Sequence, residues 1–243
     1  MRAGAEAIDQ YLRAGDDAIR LMNAQDATLQ AILNRLTAVE ELTISAASEA
    51  TSPDGREAIA VQLEEIRTEL VELANTTHAG RSLVGGFRGA AVDDSGASVT
   101  LVADGGDVMR RIADDQVMRI NVDAAEIFGF SGGRNLFDVI DDIIAETRTV
   151  DVASLGNIRL DELVSARASV NDGLGTIGSR TARVETTIDG LRVEQDELSA
   201  SVADLVDVDL AEATVELSEA NLAYESALAV TAQLNRISLL NYL

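Results

Sequence analysis

The stretch DVDLAEATVELSEANLAYESALAVTAQLNRISLLNYL, Asp207 to Leu243, closes the chain. Apolar or small residues recur at Leu210, Ala213, Leu217, Ala220, Tyr224, Ala227, Thr231 and Leu234. Alternating steps of three and four place them on one line of a helix, the seam of a heptad pattern. The seam runs into Ile237, Leu239, Leu240, Tyr242 and Leu243 at the end of the sequence. Chain ends are ordinarily solvated, and an exposed apolar helix there calls for a partner. The residues expected to grip that partner are Leu210, Leu217, Tyr224, Leu228, Leu234, Ile237, Leu239, Leu240 and Leu243.

Upstream lies a longer seam. Val170, Leu174, Ile177, Thr181, Val184, Ile188, Leu191, Gln195, Leu198, Val202 and Leu205 keep heptad spacing without a skip, and Asp207 and Asp209 mark a change of register after it. Before it, a loop is expected over 149–157. A helix is expected from Asn135, an N-cap, with Leu136, Val139, Ile140, Ile143 and Ile144 facing inward. The segment 81–133 changes character, with frequent Gly and β-branched residues alternating with polar ones. Ser98–Val102 and Val117–Val122 read as strands with a turn at Asp104–Asp107 between them. The N-terminal part reads as two helices. Ile8, Tyr11, Leu12, Ile19, Met22, Leu29, Ile32, Leu33, Leu36 and Val39 line the first; Ile59, Leu63, Ile66, Leu70 and Leu73 line the second. Ser52 can cap the second helix and Pro53 fits its first position, with its end near Asn75–Gly80. The pattern predicts a mainly α chain: an elongated helical bundle with long coiled-coil-like helices and a small β-hairpin subdomain. The helices up to Leu205 can bury one another; nothing else in the chain is left to cover 207–243.

Composition supports this. Aromatics are only 3% of 243 residues and Pro53 is the single proline, so long helices packed along seams are favoured over a core built on large rings. A net charge of −23 argues against nucleic-acid or anionic-membrane partners, whose phosphates would be repelled. With no Cys there is no disulfide framework or thiolate chemistry. No apolar run approaches a bilayer span, and MRAGAEAIDQ lacks the apolar core of a secretory signal, so composition alone suggests a cytosolic protein.

Several strings invite a chemical reading. Gly173-Leu174-Gly175-Thr176-Ile177-Gly178 spells G-x-G-x-x-G, but a dinucleotide site needs it directly after a strand, and here Leu174 and Ile177 belong to a helical seam. His78, the only histidine, falls just past a helix end, where it can meet the last carbonyls. The pairs Glu64-Glu65, Asp114-Asp115 and Asp141-Asp142 point in divergent directions on a helix and read as solvated faces. Asp93-Asp94 and Asp104–Asp107 lack calcium-loop spacing. Asn75-Thr76-Thr77 fits a glycosylation sequon, yet Asn75 is explained by ending a helix. No catalytic residue, metal or cofactor is expected.

The ending Leu239-Leu240-Asn241-Tyr242-Leu243 resembles the Leu-Leu-Asp-Tyr-Leu close of the FlgL family, the hook–filament junction proteins of the bacterial flagellum. Leu73-Ala74-Asn75-Thr76 is similar to that family's Leu-Ala-Asn-Thr helix end. Arg81–Gly86 sits where the family has a Gly-Arg-Tyr-Leu-Phe-Gly-like strand, Leu136-Phe137-Asp138 resembles its helix start, and Asp209–Ala213 its linker into the terminal helix. The resemblance covers essentially the whole chain. It implies an N-terminal helical part of a rod domain at 1–80, a small β-rich insertion at 81–134, a C-terminal helical part at 135–206 and a terminal inner-core helix at 207–243. Tyr11–Ala18 already resembles the opening helix of the rod domain, so the family's preceding inner-core segment is expected to be missing from this sequence.

What the resemblance implies for function is a structural, non-enzymatic subunit exported without a cleaved signal peptide. Its expected partners are other copies of itself, another hook-associated protein, flagellin and a flagellar export chaperone. Flagellin itself is the nearest alternative, but flagellins close on Leu-Leu followed by a polar residue, whereas Tyr242-Leu243 resembles the junction protein; a cytosolic coiled-coil adaptor is the alternative from another class.

Overall fold

The computed structural model describes residues 2–132 and 134–240, with side chains described over 4–132, 134–204 and 212–234. Contacts divide the chain into two units, one of Ile8–Leu191 and one of Met1–Ala7 with Arg192–Leu243. The first helix, α1 (Arg2–Ala46), shows why a heptad makes a core. Ala18, Met22, Gln25, Leu29, Ile32, Leu36, Val39, Thr43 and Ala46 alternate in steps of four and three, and all are buried. Two of these are polar and carry their own hydrogen bonds: Thr43 Oγ1 donates to the Val39 carbonyl at 2.7 Å, and Gln25 Nε2 to the Leu83 carbonyl at 2.9 Å.

The second helix, α2 (Pro53–Ala74), starts as read. Ser52 accepts from Gly55 N–H and Pro53 occupies the first turn, where its missing N–H is not needed. Buried Arg56 then reaches back, donating to the carbonyls of Ala46 and Ser48 and satisfying the open end of α1. At the other end Asn75 is the C-cap. Its Oδ1 accepts from the N–H groups of Ala91 and Val92 and its Nδ2 donates to the Val92 carbonyl, so one amide both ends the helix and anchors the next segment.

That segment holds three antiparallel pairs: β1 (Thr77–His78) with β2 (Arg81–Ser82), β3 (Val92–Asp93) with β4 (Thr100–Leu101), and β5 (Met109–Arg111) with β6 (Val117–Arg119). The expected strands 98–102 and 117–122 therefore exist in part but do not pair with each other. Each finds a nearer partner, Leu101 opposite Val92 and Arg119 opposite Met109. The expected turn at Asp104 is a clamp: its carboxylate accepts from Phe87 N–H and Gly106 N–H, each at 3.0 Å. Gly86 makes room with φ +68; a Cβ there would lie 2.2 Å from Asp104 Oδ1. His78 lies in β1 and does not meet the end of α2, which Asn75 already caps.

A short turn, α3 (Ala124–Ile127), precedes α4 (Leu136–Thr149). Asn135 caps α4 by accepting from Phe137 and Asp138 N–H, and the expected inward residues Leu136, Val139, Ile140, Ile143 and Ile144 are all buried. The loop expected at 149–157 is mostly helical. After Val150, α5 (Val152–Ser154) is capped by Asp151, and a π-helical turn at Leu155–Arg159 leads into α6 (Leu160–Leu240). The helix also continues through Asp207 and Asp209 without a break. Within the larger unit α6 packs on α1: Thr181 Oγ1 meets Met22 Sδ at 3.7 Å, a Cβ on Gly173 would touch Leu29 at 3.5 Å, and one on Gly15 would press to 2.7 Å from Ile188 Cδ1. Arg167 also pairs with Glu40 across the two helices.

Arginines tie the elements together. Arg67 on α2 holds Asp94, at 2.8 Å, and Asp141 on α4. Arg148 joins Glu57 and Glu64, and Arg159 joins Glu146 and Glu162. The hydrogen bond from Arg67 keeps the Asp94 carboxyl below its ordinary range, and the N–H groups of Phe87 and Gly106 do the same for Asp104.

Two outcomes follow from this geometry. Depressed carboxylate pKa values stabilise the fold fully above the unfolded value of about 3.9, and that stability is lost as pH falls through the lower folded values. Arg67→Gln should therefore lower stability by about 1–2 kcal/mol at neutral pH, allowing for the solvent around both carboxylates. In urea titrations its gap from the wild type should narrow as pH drops toward about 2; a gap independent of pH would show that the ion pairs are not its source. The second concerns Val150, which caps α4 at φ 62 although β-branched residues resist that conformation. It is half-exposed, so Val150→Gly should stabilise by roughly 0.5–1 kcal/mol, the strain relieved less the added freedom of the unfolded chain. A lower denaturation midpoint would contradict this.

Candidate interaction surface

The burial of α6 changes along its length. Leu163, Val170, Ile177, Val184, Ile188 and Leu191 are buried, all in the larger unit. In the smaller unit, Gln195 and Leu198 are half-buried, and Gly4 lies against Leu198, whose Cδ2 would be 3.9 Å from a Cβ on Gly4. From 212 to 234 every side chain is exposed. Of the residues expected to grip a partner, Leu217, Tyr224, Leu228 and Leu234 stand there, with Leu217 and Leu234 each 63% exposed. The side chains of Leu210, Ile237, Leu239 and Leu240, and all of Leu243, lie outside the described residues.

At about 100° per residue, Leu217, Tyr224 and Leu228 fall on one face, while Leu234 lies between it and the opposite one. Val215 and Leu222, seven residues apart, stand on the opposite face, with Val230 beside them; all three are exposed. The sequence reading missed these three because it followed a single seam. Their signal was the second heptad line, 215 to 222. Glu212, Glu216, Glu219 and Glu225 interleave the apolar lines. A helix apolar on opposite sides is one that expects neighbours on both.

Among the described residues no cluster of His, Asp or Glu is placed to hold a metal, and no helix is long and apolar enough to cross a membrane. The G-x-G-x-x-G string lies inside α6 with Ile177 buried, and helix rather than strand directly precedes it.

The family model of the bacterial flagellin N-terminal helical region matches residues 1–85, and that of the C-terminal helical region matches residues 160–243. This chain belongs to the flagellin-like superfamily of bacterial flagellar proteins. A flagellin of Halalkalibacterium halodurans is 21% identical over 236 residues, 97% of this chain and 78% of that one. Among solved structures, FlgL of Xanthomonas campestris superposes with a TM-score of 0.74 at 16% identity, covering 84% of this chain and all of that one. FlgL of Bacillus cereus gives 0.64 at 21% identity, covering 81% and 93%. Membership makes the chain a structural component of the flagellum that assembles with copies of itself and with other flagellar components.

Hydrogen exchange on the dilute chain tests the change in burial along α6. Amides of Leu163–Leu191 should exchange at least about 100-fold more slowly than those of 212–234. Equal protection in the two stretches would mean that the exposed part is held by something other than side-chain packing.

Proposed function

We propose that this chain forms the junction between hook and filament, polymerising there as a short ring. The observation that carries the reading is the helix at 212–234, bare on two faces. In such a ring the terminal helices make a layer in which each meets neighbours on both sides. Packing is the whole mechanism: the chain turns over no substrate and uses no metal, nucleotide or other cofactor. Its neighbours are its own copies, another hook-associated protein on one side and flagellin on the other.

An apolar helix of this kind would also associate prematurely, so it is held by an export chaperone until secretion, which proceeds without a cleaved signal peptide. Helix-in-groove docking suits both roles, because the same side chains serve each in turn. Filament subunit is the second reading, favoured by the flagellin relative that aligns over nearly all of this chain.

Each leucine buried in the assembly contributes roughly 1.5–3 kcal/mol, so losing two weakens association by about two to four orders of magnitude. Leu217→Asp with Leu228→Asp should abolish both chaperone pull-down and recovery in sheared flagella, while circular dichroism of the full chain stays helical. Immunogold labelling of the wild type should mark the hook-proximal end alone. Label along the whole filament would make the chain a flagellin; normal incorporation of the double variant would remove the terminal helix from the mechanism.

A further inference from the structure

A pocket of about 380 Å³ lies in the larger unit between α1, the β1–β2 pair and the β5–β6 pair. Its charge runs against the rest of the molecule. A chain with 42 acidic residues, 19 arginines and one histidine places Arg20, Arg81, Arg110 and His78 around this one pocket, against a single carboxylate, Asp17. Asp17 is already paired with Arg20. Arg81 and Arg110 are exposed and have no ion-pair partner among the described residues.

The second observation is on the wall. Gln25 is fully buried and lines the pocket. Its Nε2 donates to the Leu83 carbonyl at 2.9 Å, which fixes the amide, since the flipped form would set two carbonyl oxygens together. Gln25 Oε1 is left without a donor. A buried acceptor of this kind destabilises the fold until an N–H or O–H reaches it. The complement of the pocket is therefore a group with carboxylates for the rim and an N–H donor for the wall that Gln25 forms. A peptide with acidic side chains has both; an inorganic anion without a donor, such as sulfate, does not.

We propose that this pocket receives an acidic segment of a second copy of the chain. The source rests on the reading of a self-polymerising subunit, and charge favours it. Copies bearing −23 each repel one another, and a pair of unpaired arginines is where a neighbour's carboxylates are drawn in. The contact is heterologous: the basic pocket of one copy takes acids from the next, leaving its own acids free for a third, as a ring requires. It uses none of the apolar residues of the terminal helix.

The test titrates the full chain at low salt with acetyl-Glu-Asp-Glu-Asp-amide, following heat and the Gln25 side-chain amide resonance. Saturable binding is expected, with a shift of that resonance and a loss of about tenfold or more in Arg81→Glu with Arg110→Glu or at ~0.5 M salt. Both arginines are exposed, and the milder Arg81→Gln with Arg110→Gln, checked by circular dichroism, guards against misfolding. Absence of saturable binding, binding indifferent to the variants, or displacement by inorganic phosphate with no response at Gln25 would overturn the site. Sedimentation of the full chain alone decides the source. Self-association that the charge-reversed variant loses supports a second copy; none, or no change, rules it out. The junction reading is judged separately, by where the label falls on flagella.

Discussion

Everything in the larger unit depends on one constraint: α1 and α6 must approach closely enough for their heptad lines to interlock. The approach is tightest where small residues face large ones. Gly15 sits under Ile188 and Gly173 opposite Leu29 and Ile127, so each bulky residue enters a gap that a missing side chain leaves. A leucine-for-glycine exchange at either place would push the helices apart along several turns, because a heptad seam cannot adjust one layer without its neighbours. The remaining elements are laid against this frame, with α2 and α4 joined by buried aliphatic residues and by Arg67 and Arg148. In a chain so acidic, each arginine that bridges two elements also removes a repulsion between them.

The small β pairs are too short to be stable alone. They are held by side chains acting as backbone: Asn75 bonds the strand at Val92, Asp104 binds the loop at Phe87, and Asn121 accepts from Val108 N–H at 2.8 Å while donating to the Gly106 carbonyl at 3.0 Å. Arg180 of α6 adds a bond to the Asn121 carbonyl at 2.6 Å, and burial pushes its pKa down. Polar residues thus fasten an irregular segment to the helical frame, and their placement generates the basic pocket beside Gln25.

Much of this was legible in the sequence because helices announce themselves by period and by caps. Ser52, Pro53, Asn75 and Asn135 mark ends by local chemistry that tertiary structure did not override. Gln25 and Thr43 were not recognised as core because the reading followed apolar residues only, although the four-three spacing passes through both. The partner of β6 was missed for a related reason. Met109-Arg110-Arg111 is wholly exposed and shows no alternation, so its strand exists only through pairing with 117–119. The exposed apolar side chains of 212–234 were half visible: the seam through Leu217 and Tyr224 stood out, while Val215, Leu222 and Val230 drew notice only once the whole stretch proved bare. The pocket had no sequence signal, since Arg20, Gln25, His78, Arg81 and Arg110 come from three separate segments.

The central claim is that the terminal helix, open on two faces in the free chain, is covered on both in the assembly. The chain has no cysteine, so single thiols introduced as Leu217→Cys and Leu222→Cys probe the two faces without background. Maleimide labelling should be fast for both in the dilute chain and strongly suppressed for both in intact sheared flagella. If either position labels as fast in the flagellum as in the free chain, that face has no neighbour and the account of the helix layer is wrong.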